Sequence, residues 1–124
     1  RFAAPDTVAA FGLHCRLMLG PRHRVTAANI DAWANILSTF RVTLLCNGAV
    51  ADEGSASNVL GGPLLAIRNF LEVLDGNADN TQVCAGEMVT TGTLTRAFPV
   101  VRGQTWSSTF EAAPFEGLTI DLCA

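Results

Sequence analysis

The chain has 124 residues, of which 49% are hydrophobic and 15% charged, and its net charge is −3. This length fits a single domain over residues 1–124, because a chain of this size buries about two thirds of the surface that its unfolded form exposes. The eight cationic residues are scattered, which excludes the basic stripe that binds nucleic-acid phosphates. No apolar run reaches the ~20 residues that cross a bilayer, so we expect neither nucleic-acid nor membrane binding.

The apolar composition predicts a protein partner. The charged fraction of 15% lies below the ~25% usual for soluble domains, so we expect part of the apolar surface to face another chain in an oligomer. The sequence begins with Arg1 rather than Met, which suggests a fragment, a processed chain or one subunit of a split protein.

The four cysteines are Cys15, Cys46, Cys84 and Cys123, and they include no Cys-x-x-Cys pair. This spacing makes a zinc site or a disulfide scaffold improbable. Each cysteine has apolar or small neighbours, so we expect buried thiols that act as small hydrophobic groups. Reduced cysteines and the lack of a targeting signal predict a cytoplasmic protein.

Before the middle of the chain, the elements are weakly defined. Residues Phe11 to Leu19 predict a strand that ends at Gly20-Pro21. Residues Ala27 to Phe40 fit a helix, although the pattern is ambiguous.

A hairpin and a helix are much more clearly marked. The apolar run Arg41 to Cys46 is followed by Asn47-Gly48, the dipeptide that best tolerates positive φ at both turn positions. From Pro63 to Leu74, apolar residues recur at helical spacing, with Gly62 before the helix and Gly76 after it.

The last third of the chain predicts four short strands, separated by Gly92, Gly103 and Pro114. These strands are Glu87 to Thr91, Ala97 to Val101, Thr105 to Glu111 and Glu116 to Leu122. The whole pattern predicts an α+β fold that is mostly β, a β-sandwich or β-roll with one long packed helix.

Three candidate sites are weak. The segment Asp75 to Thr81 resembles a calcium loop but lacks the required glycine and the bidentate glutamate, so we interpret it as a solvated turn. His14 and His23 are not at ligand spacing, and we expect satisfied or exposed histidines. Asp52-Glu53 predicts a solvated hairpin end, because strand side chains alternate in direction.

The chain contains no lysine and no tyrosine, which removes both residue types as general acids or bases. Two loops of small and hydroxyl-bearing residues remain as candidates. Gly54 to Gly62 contains Ser57 and leads into a helix N-terminus, where an anion is favoured. Thr90 to Thr95 contains Gly92, which allows a bulge or a close approach to a ligand. Ligand binding and ordinary turn chemistry both explain these loops.

The order and spacing of motifs over residues 42–122 adds a specific signal. The chain supplies Asn47-Gly48, Gly54, Ser57, Leu60, Gly61, Pro63, Gly86-Glu87, Val89, Thr91-Gly92-Thr93-Leu94, Pro99-Val100 and Gly103-Gln104. In this order they resemble the C-terminal half of the 2-keto-4-pentenoate hydratase branch of the fumarylacetoacetate hydrolase family. The upstream match is thinner, since Ala10 and Phe11 stand where that branch has an acid and an amide.

The resemblance implies a fumarylacetoacetate-hydrolase-like fold and an enzyme of aromatic catabolism that adds water to a 2-oxo dienoic acid. Some relatives in that family decarboxylate a 2-oxo acid or cleave a carbon–carbon bond instead, and both reactions stay open. Ser57 would bind the carboxylate or oxo group of the substrate, and Thr91, Gly92 and Thr93 would form the opposite wall. Mg²⁺ or Mn²⁺ would be the cofactor. The metal ligands and the catalytic lysine of the family lie upstream of these motifs, so no catalytic and no metal-binding residue is assigned in this chain.

Two hypotheses follow. In the first, the chain is the C-terminal half of a hydratase-like enzyme, completed by an N-terminal half or a partner chain. In the second, it is a non-catalytic relative that serves as a structural or ligand-binding subunit. Three features suggest this: the Ala10-Phe11 departure, Gln104 in place of the aspartate of the usual Gly-Asp step, and the absence of lysine.

Overall fold

The computed structural model describes residues 9, 16–78 and 82–123. Within these residues, helix α1 (Ile30–Thr39) precedes strands β1 (Arg41–Cys46) and β2 (Ala49–Ser55). A short 3₁₀ helix (Ala56–Asn58) and helix α2 (Pro63–Asp75) follow, and strands β3 (Thr105–Glu111) and β4 (Thr119–Asp121) complete the order. None of the helices in the described part is long and apolar enough to cross a membrane.

The strands form one antiparallel sheet with the order β2-β1-β3-β4. The predicted hairpin is confirmed: β1 pairs with β2, and Asn47 and Gly48 take φ values of 51° and 80° in the turn between them. The Asn47 side chain also accepts a hydrogen bond of 2.9 Å from the Thr105 amide. The turn therefore holds the start of β3 beside the end of β1.

Helix α2 confirms the predicted helix. It begins at Pro63, directly after Gly62 at φ 141°, and ends at Asp75. After this end, Gly76 donates its amide to the Glu72 carbonyl and Asn77 donates to the Leu74 carbonyl. Proline suits the first helical turn because its missing amide would have no intrahelical partner there. Helix α1 confirms the helical interpretation of residues 27–40 and adds a second helix to the one long helix predicted.

The core lies between one face of the sheet and the segments packed on it. Its buried side chains are those of Phe40, Val42, Ala56, Val59, Ala66 and Trp106. The Phe40 ring lies 6.1 Å from that of Phe110 and 5.4 Å from that of Phe115, measured between centroids. The first pair is tilted and the second is edge-to-face, and together they anchor the end of α1 and the residues before β4 on the sheet.

Two of the predicted strands are wrong, and one is shorter than predicted. Residues 87–91 and 97–101 have no strand conformation, and β4 covers only Thr119–Asp121. Strand propensity describes how a side chain fits a paired, half-buried surface, and no strand of the described residues pairs with these two segments. The described residues thus form an α+β fold with one four-stranded sheet and two helices, in which strands and helices contribute about equally.

The expectation of buried cysteines is also wrong where it can be compared. Cys46 is half-buried and Cys84 and Cys123 are exposed, and all three are free thiols. Cys84 and Cys123 lie outside the sheet, in segments that pack only loosely. Several residues of the sequence analysis lie outside the described residues, namely Ala10, Phe11, His14, Cys15 and residues 79–81. Of the strand predicted over Phe11 to Leu19, the described part, Arg16 to Leu19, has no strand conformation.

Gly54 sits at a close contact between β2 and a later segment. It is buried opposite Val42 in the β1–β2 pair. A Cβ atom at this position would overlap the Leu94 carbonyl oxygen. It would also lie 2.8 Å from the Leu94 carbonyl carbon and 3.3 Å from Val42 Cγ1. Backbone atoms cannot move aside as a flexible side chain can, so this site requires glycine.

We expect Gly54→Ala to lower the free energy of unfolding by about 1–3 kcal/mol, the usual cost of overpacking. Urea unfolding followed by circular dichroism measures this change. Gly76→Ala is the matched control: Gly76 has φ −81°, and its Cβ would make ordinary contacts of 3.6 and 3.7 Å. The control should stay within about 1 kcal/mol of the wild type; equal midpoints for both variants would contradict the packing argument.

Candidate functional site

The first candidate loop surrounds Ser57, in the 3₁₀ helix after β2. Ser57 is exposed, and its Oγ lies 2.8 Å from the Oγ of Ser55. Three successive positive φ values follow, 48° at Leu60, 81° at Gly61 and 141° at Gly62. This backbone turns the chain from the sheet into α2 and leaves the Ser57 hydroxyl at the surface of the turn.

Two backbone amides of this loop donate hydrogen bonds within the loop. Gly61 donates its amide to the Ser57 carbonyl at 3.2 Å, and Gly62 donates to the Val59 carbonyl at 2.7 Å. These two amides are therefore unavailable to a ligand. An anion at this turn would depend on hydroxyl groups and on the first turn of α2.

The second candidate loop contains Thr91, Gly92 and Thr93. Thr91 is half-buried, whereas Gly92 and Thr93 are exposed. Gly92 has φ 103°, a value that favours glycine, and its Cβ position would lie 3.9 Å from the Cγ1 atom of Val59. The loop thus runs directly beside the residues that follow Ser57.

A hydrogen bond joins the two loops across 36 residues of sequence. Asn58, next to Ser57, donates through Nδ2 to the carbonyl oxygen of Leu94, next to Thr93, at 2.8 Å. The structure therefore brings the two predicted loops together. Substrate binding by Ser57, Thr91, Gly92 and Thr93 remains a prediction.

Two different cavities border the second loop. A polar cavity of about 500 Å³ is lined by Asp52, Glu53, Asn58, Thr93, Leu94, Thr95 and Arg96. An apolar groove of about 340 Å³ is lined by Leu60, Ala66, Ile67, Phe70, Met88, Val89, Thr90 and Thr91. Thr93 therefore borders the polar cavity, whereas Thr91 borders the groove beside α2.

The polar cavity contains an ion pair that the sequence analysis missed. Asp52 Oδ2 accepts hydrogen bonds from the Arg96 backbone amide at 2.9 Å and from Arg96 Nε at 3.2 Å. The Asp52 side chain is only 20% exposed, so the interpretation of this residue as a solvated hairpin end is wrong, while Glu53 is exposed. The bond from the Arg96 amide, followed by that from its side chain, lowers the pKa of Asp52.

Aromatic rings support the arginine from its other side. The guanidinium carbon of Arg96 lies 5.2 Å from the Phe98 ring centroid, and the Phe98 and Trp106 centroids are 5.6 Å apart. The Trp106 indole donates to Gln104 Oε1 at 3.0 Å, and the Val101 amide donates to the same oxygen at 2.9 Å. Gln104, a departure from the family pattern, therefore has a structural role here.

The described residues do not fit a metal ion. Residues 16–78 and 82–123 contain no group of three or more histidine, cysteine, aspartate or glutamate side chains that could hold one. Asp52, one of the two carboxylates that line the polar cavity, is already bound by Arg96. His23 instead packs against Trp33 and Phe115, at centroid distances of 5.2 and 5.9 Å, as expected for a satisfied histidine.

Comparison with known proteins places this fold. The sequence matches no family model and no curated protein. It is similar to two solved structures of 4-oxalocrotonate decarboxylase from Pseudomonas putida G7, one complexed with calcium and acetate and one with magnesium and adipate. Each comparison has 26% identity and a TM-score of 0.61, and covers 68% of this chain and 31% of the decarboxylase chain.

These comparisons support a relationship to the fumarylacetoacetate hydrolase fold, as the motifs predicted, but do not single out the hydratase branch. They also confirm a divalent metal as the cofactor of such proteins, since both complexes contain one. The chain spans about a third of the length of the structures that it matches.

The lowered pKa of Asp52 predicts a pH dependence. Because its pKa is lower in the folded than in the unfolded chain, the ionised carboxylate stabilises the fold at neutral pH. This stabilisation is lost as the pH falls from the ordinary aspartate value, about 3.9, through the folded-state value. We expect Asp52→Asn to be less stable than the wild type at pH 7, and we expect the difference to shrink as the pH falls below about 3.9, in urea unfolding over this range. A difference that does not shrink with falling pH, or an equal effect of Glu53→Gln, would contradict the assignment.

Proposed function

We propose that this chain provides the substrate-binding part of a 2-keto-4-pentenoate hydratase-like enzyme, which adds water to a 2-oxo dienoic acid. The observation that supports this proposal is the Asn58–Leu94 hydrogen bond, which holds the Ser57 and Thr93 loops together. These loops carry the motifs of the hydratase branch, and the fold resembles that of a decarboxylase solved with divalent metals and small carboxylates.

Within this proposal, the residues of this chain bind and orient the substrate. Ser57 donates its hydroxyl to the carboxylate or oxo group. On the facing wall, Thr93 supplies a hydroxyl group from the polar cavity and Thr91 supplies one from the side of the apolar groove. Gly92, between them, allows the backbone to approach the ligand because it has no side chain. Hydroxyl and amide donors placed around a carboxylate fix its orientation, which lowers the entropic cost of reaction.

The charge-handling groups come from outside this chain. A divalent metal, when bound, would stabilise the negative charge that develops on the oxygen of a 2-oxo acid. Because the described residues do not fit a metal and the sequence has no lysine, we propose that an N-terminal half or a partner chain supplies the metal ligands and the base.

Addition of 2-hydroxypenta-2,4-dienoate and Mg²⁺ tests this proposal. We expect hydration by a preparation that contains this chain with its upstream segment or partner, and none by the isolated chain. Ser57→Ala and Thr93→Ala should each lower kcat/KM at least tenfold, because a lost hydrogen bond of about 1.5 kcal/mol corresponds to that factor. Ser38→Ala, on the exposed side of α1, is the control and should retain activity.

Inactivity of every preparation on this substrate would argue against hydration. Release of carbon dioxide from a 2-oxo dicarboxylate, or cleavage of a carbon–carbon bond, would instead indicate the other reactions of this family. Equal activity of Ser57→Ala and the wild type would remove Ser57 from the site.

A non-catalytic role is the second candidate. It is favoured by the absence of a metal-ligand cluster among the described residues and by Gln104, whose side chain accepts from Trp106. In this case the chain is a structural or ligand-binding subunit. Calorimetry with oxalate or pyruvate distinguishes the two: strong Mg²⁺-dependent binding by this chain alone contradicts the non-catalytic role.

The exposed apolar residues are the basis for a partner chain or an oligomer. Leu60, Val73 and Met88 are 69%, 66% and 62% exposed, on α2 and the loops beside it. We propose that the missing half of the enzyme, or further copies of the complex, covers this surface. The free thiols of Cys46, Cys84 and Cys123 suit the reducing cytoplasm, which we propose as the location.

We expect the wild-type chain to associate with its partner or with itself, as measured by sedimentation velocity. Val73→Glu should weaken this association at least tenfold, because it places a charge in the apolar contact. Arg68→Glu is the matched control, since it introduces the same side chain on α2 at an exposed position that already carries a charge. A wild-type chain that remains monomeric with every candidate partner would contradict the proposal.

A further inference from the structure

The segment from Leu94 to Phe98 crosses the sheet without belonging to it. It has no strand conformation, yet its Leu94 carbonyl lies against Gly54 of β2, at a distance that leaves no room for a Cβ atom. Its position therefore depends on side-chain anchors and not on a ladder of backbone hydrogen bonds.

Asp52 is the anchor on the β2 side. Its Oδ2 atom accepts from the backbone amide and from Nε of Arg96, and Oδ1 lies 3.5 Å from Nη2. A carboxylate that binds a backbone amide fixes the path of the main chain, which an ordinary ion pair between two side-chain ends does not. The Asp52 side chain is mostly buried, whereas that of Arg96 is 73% exposed.

The opposite side of Arg96 rests on a second set of contacts. Its guanidinium lies over the Phe98 ring, which packs on Trp106, and Trp106 is held by Gln104. Trp106 is part of β3, in the interior of the sheet. Arg96 is thus held between an edge strand and a central strand.

We propose that Asp52 is a positioning residue, which acts through Arg96 to hold the Thr91–Thr93 wall against the Ser57 loop. Arg96 lies three positions after Thr93, so fixing its backbone amide limits where the wall can lie. Nothing in the family resemblance uses Asp52 or Arg96 for this purpose. The identity of the ligand at the wall rests on the proposed function, but the positioning itself does not.

The Arg96 side chain of this ion pair is exposed to solvent, which weakens the contribution of the pair to global stability. The main effect of removing the pair should therefore be local. We expect Asp52→Ala to increase the motion of residues 91–96, with backbone NMR order parameters falling from about 0.85 towards 0.6. Those of β1 and β3 should not change. Arg96→Ala, which keeps the backbone amide that Asp52 binds, should have a smaller effect. Glu53→Ala, the neighbouring exposed carboxylate in the same cavity, is the control and should have none.

Kinetics of the assembled enzyme give the second readout. Asp52→Ala should raise KM for the 2-oxo acid at least tenfold with kcat changed less than about threefold, because the wall binds substrate and carries no reacting group. Asp52→Asn retains an acceptor for the Arg96 amide, so its KM should be close to that of the wild type. If the high KM of Asp52→Ala came from loss of folding, this recovery would not be expected. If Asp52→Ala fails to fold, Asp52→Ser replaces it in the NMR experiment, because the shorter side chain withdraws the acceptor from the Arg96 amide.

Unchanged order parameters at residues 91–96, or a uniform fall throughout the sheet, would overturn the positioning role. Order parameters that fall only at residues 91–96, with an unchanged KM, would support positioning but show that the wall does not bind substrate. This outcome separates failure of the proposed function from failure of the positioning role. A fall in kcat alone would overturn the assignment of Asp52 as a positioning residue for binding.

Discussion

The structure depends on the close approach of the Leu94 backbone to Gly54 on the buried face of the sheet. Gly54 leaves space for a carbonyl group that any other residue would displace. Asn58 then donates a hydrogen bond of 2.8 Å to that carbonyl, so the displaced backbone group keeps a partner. One small residue and one amide side chain thereby bring a segment without strand structure onto the core.

This contact has consequences for both candidate loops. Ser57 is adjacent to Asn58 and Thr93 is adjacent to Leu94, so neither loop can shift far without straining the bond that joins them. The two serine- and threonine-bearing surfaces come together although 36 residues separate the bonded positions. The proposed binding site would thus be held by its own scaffold, which would reduce the cost of ordering it when a ligand arrives.

The proposed function requires groups that the described residues do not supply. Its described residues offer hydroxyl groups and an ion pair, whereas they contain no cluster of metal ligands. Large apolar side chains such as Leu60 and Val73 remain exposed around α2. A chain that spans 31% of the decarboxylase structures it matches combines substrate-loop motifs with an uncovered apolar surface, and both features are accounted for if another polypeptide completes the site.

Local signals in the sequence determined the hairpin at Asn47-Gly48 and the helix from Pro63 to Asp75, because turn geometry and helix ends depend on residues close in the chain. The order of motifs also indicated the fold relationship and the two loops. Tertiary structure decided the rest. Residues 87–91 and 97–101 have strand-forming sequences but no strand, since a strand requires a partner that propensity does not supply. Asp52 and Arg96 are 44 residues apart, and only the crossing of Leu94 over Gly54 brings them together, so no local pattern could identify the pair.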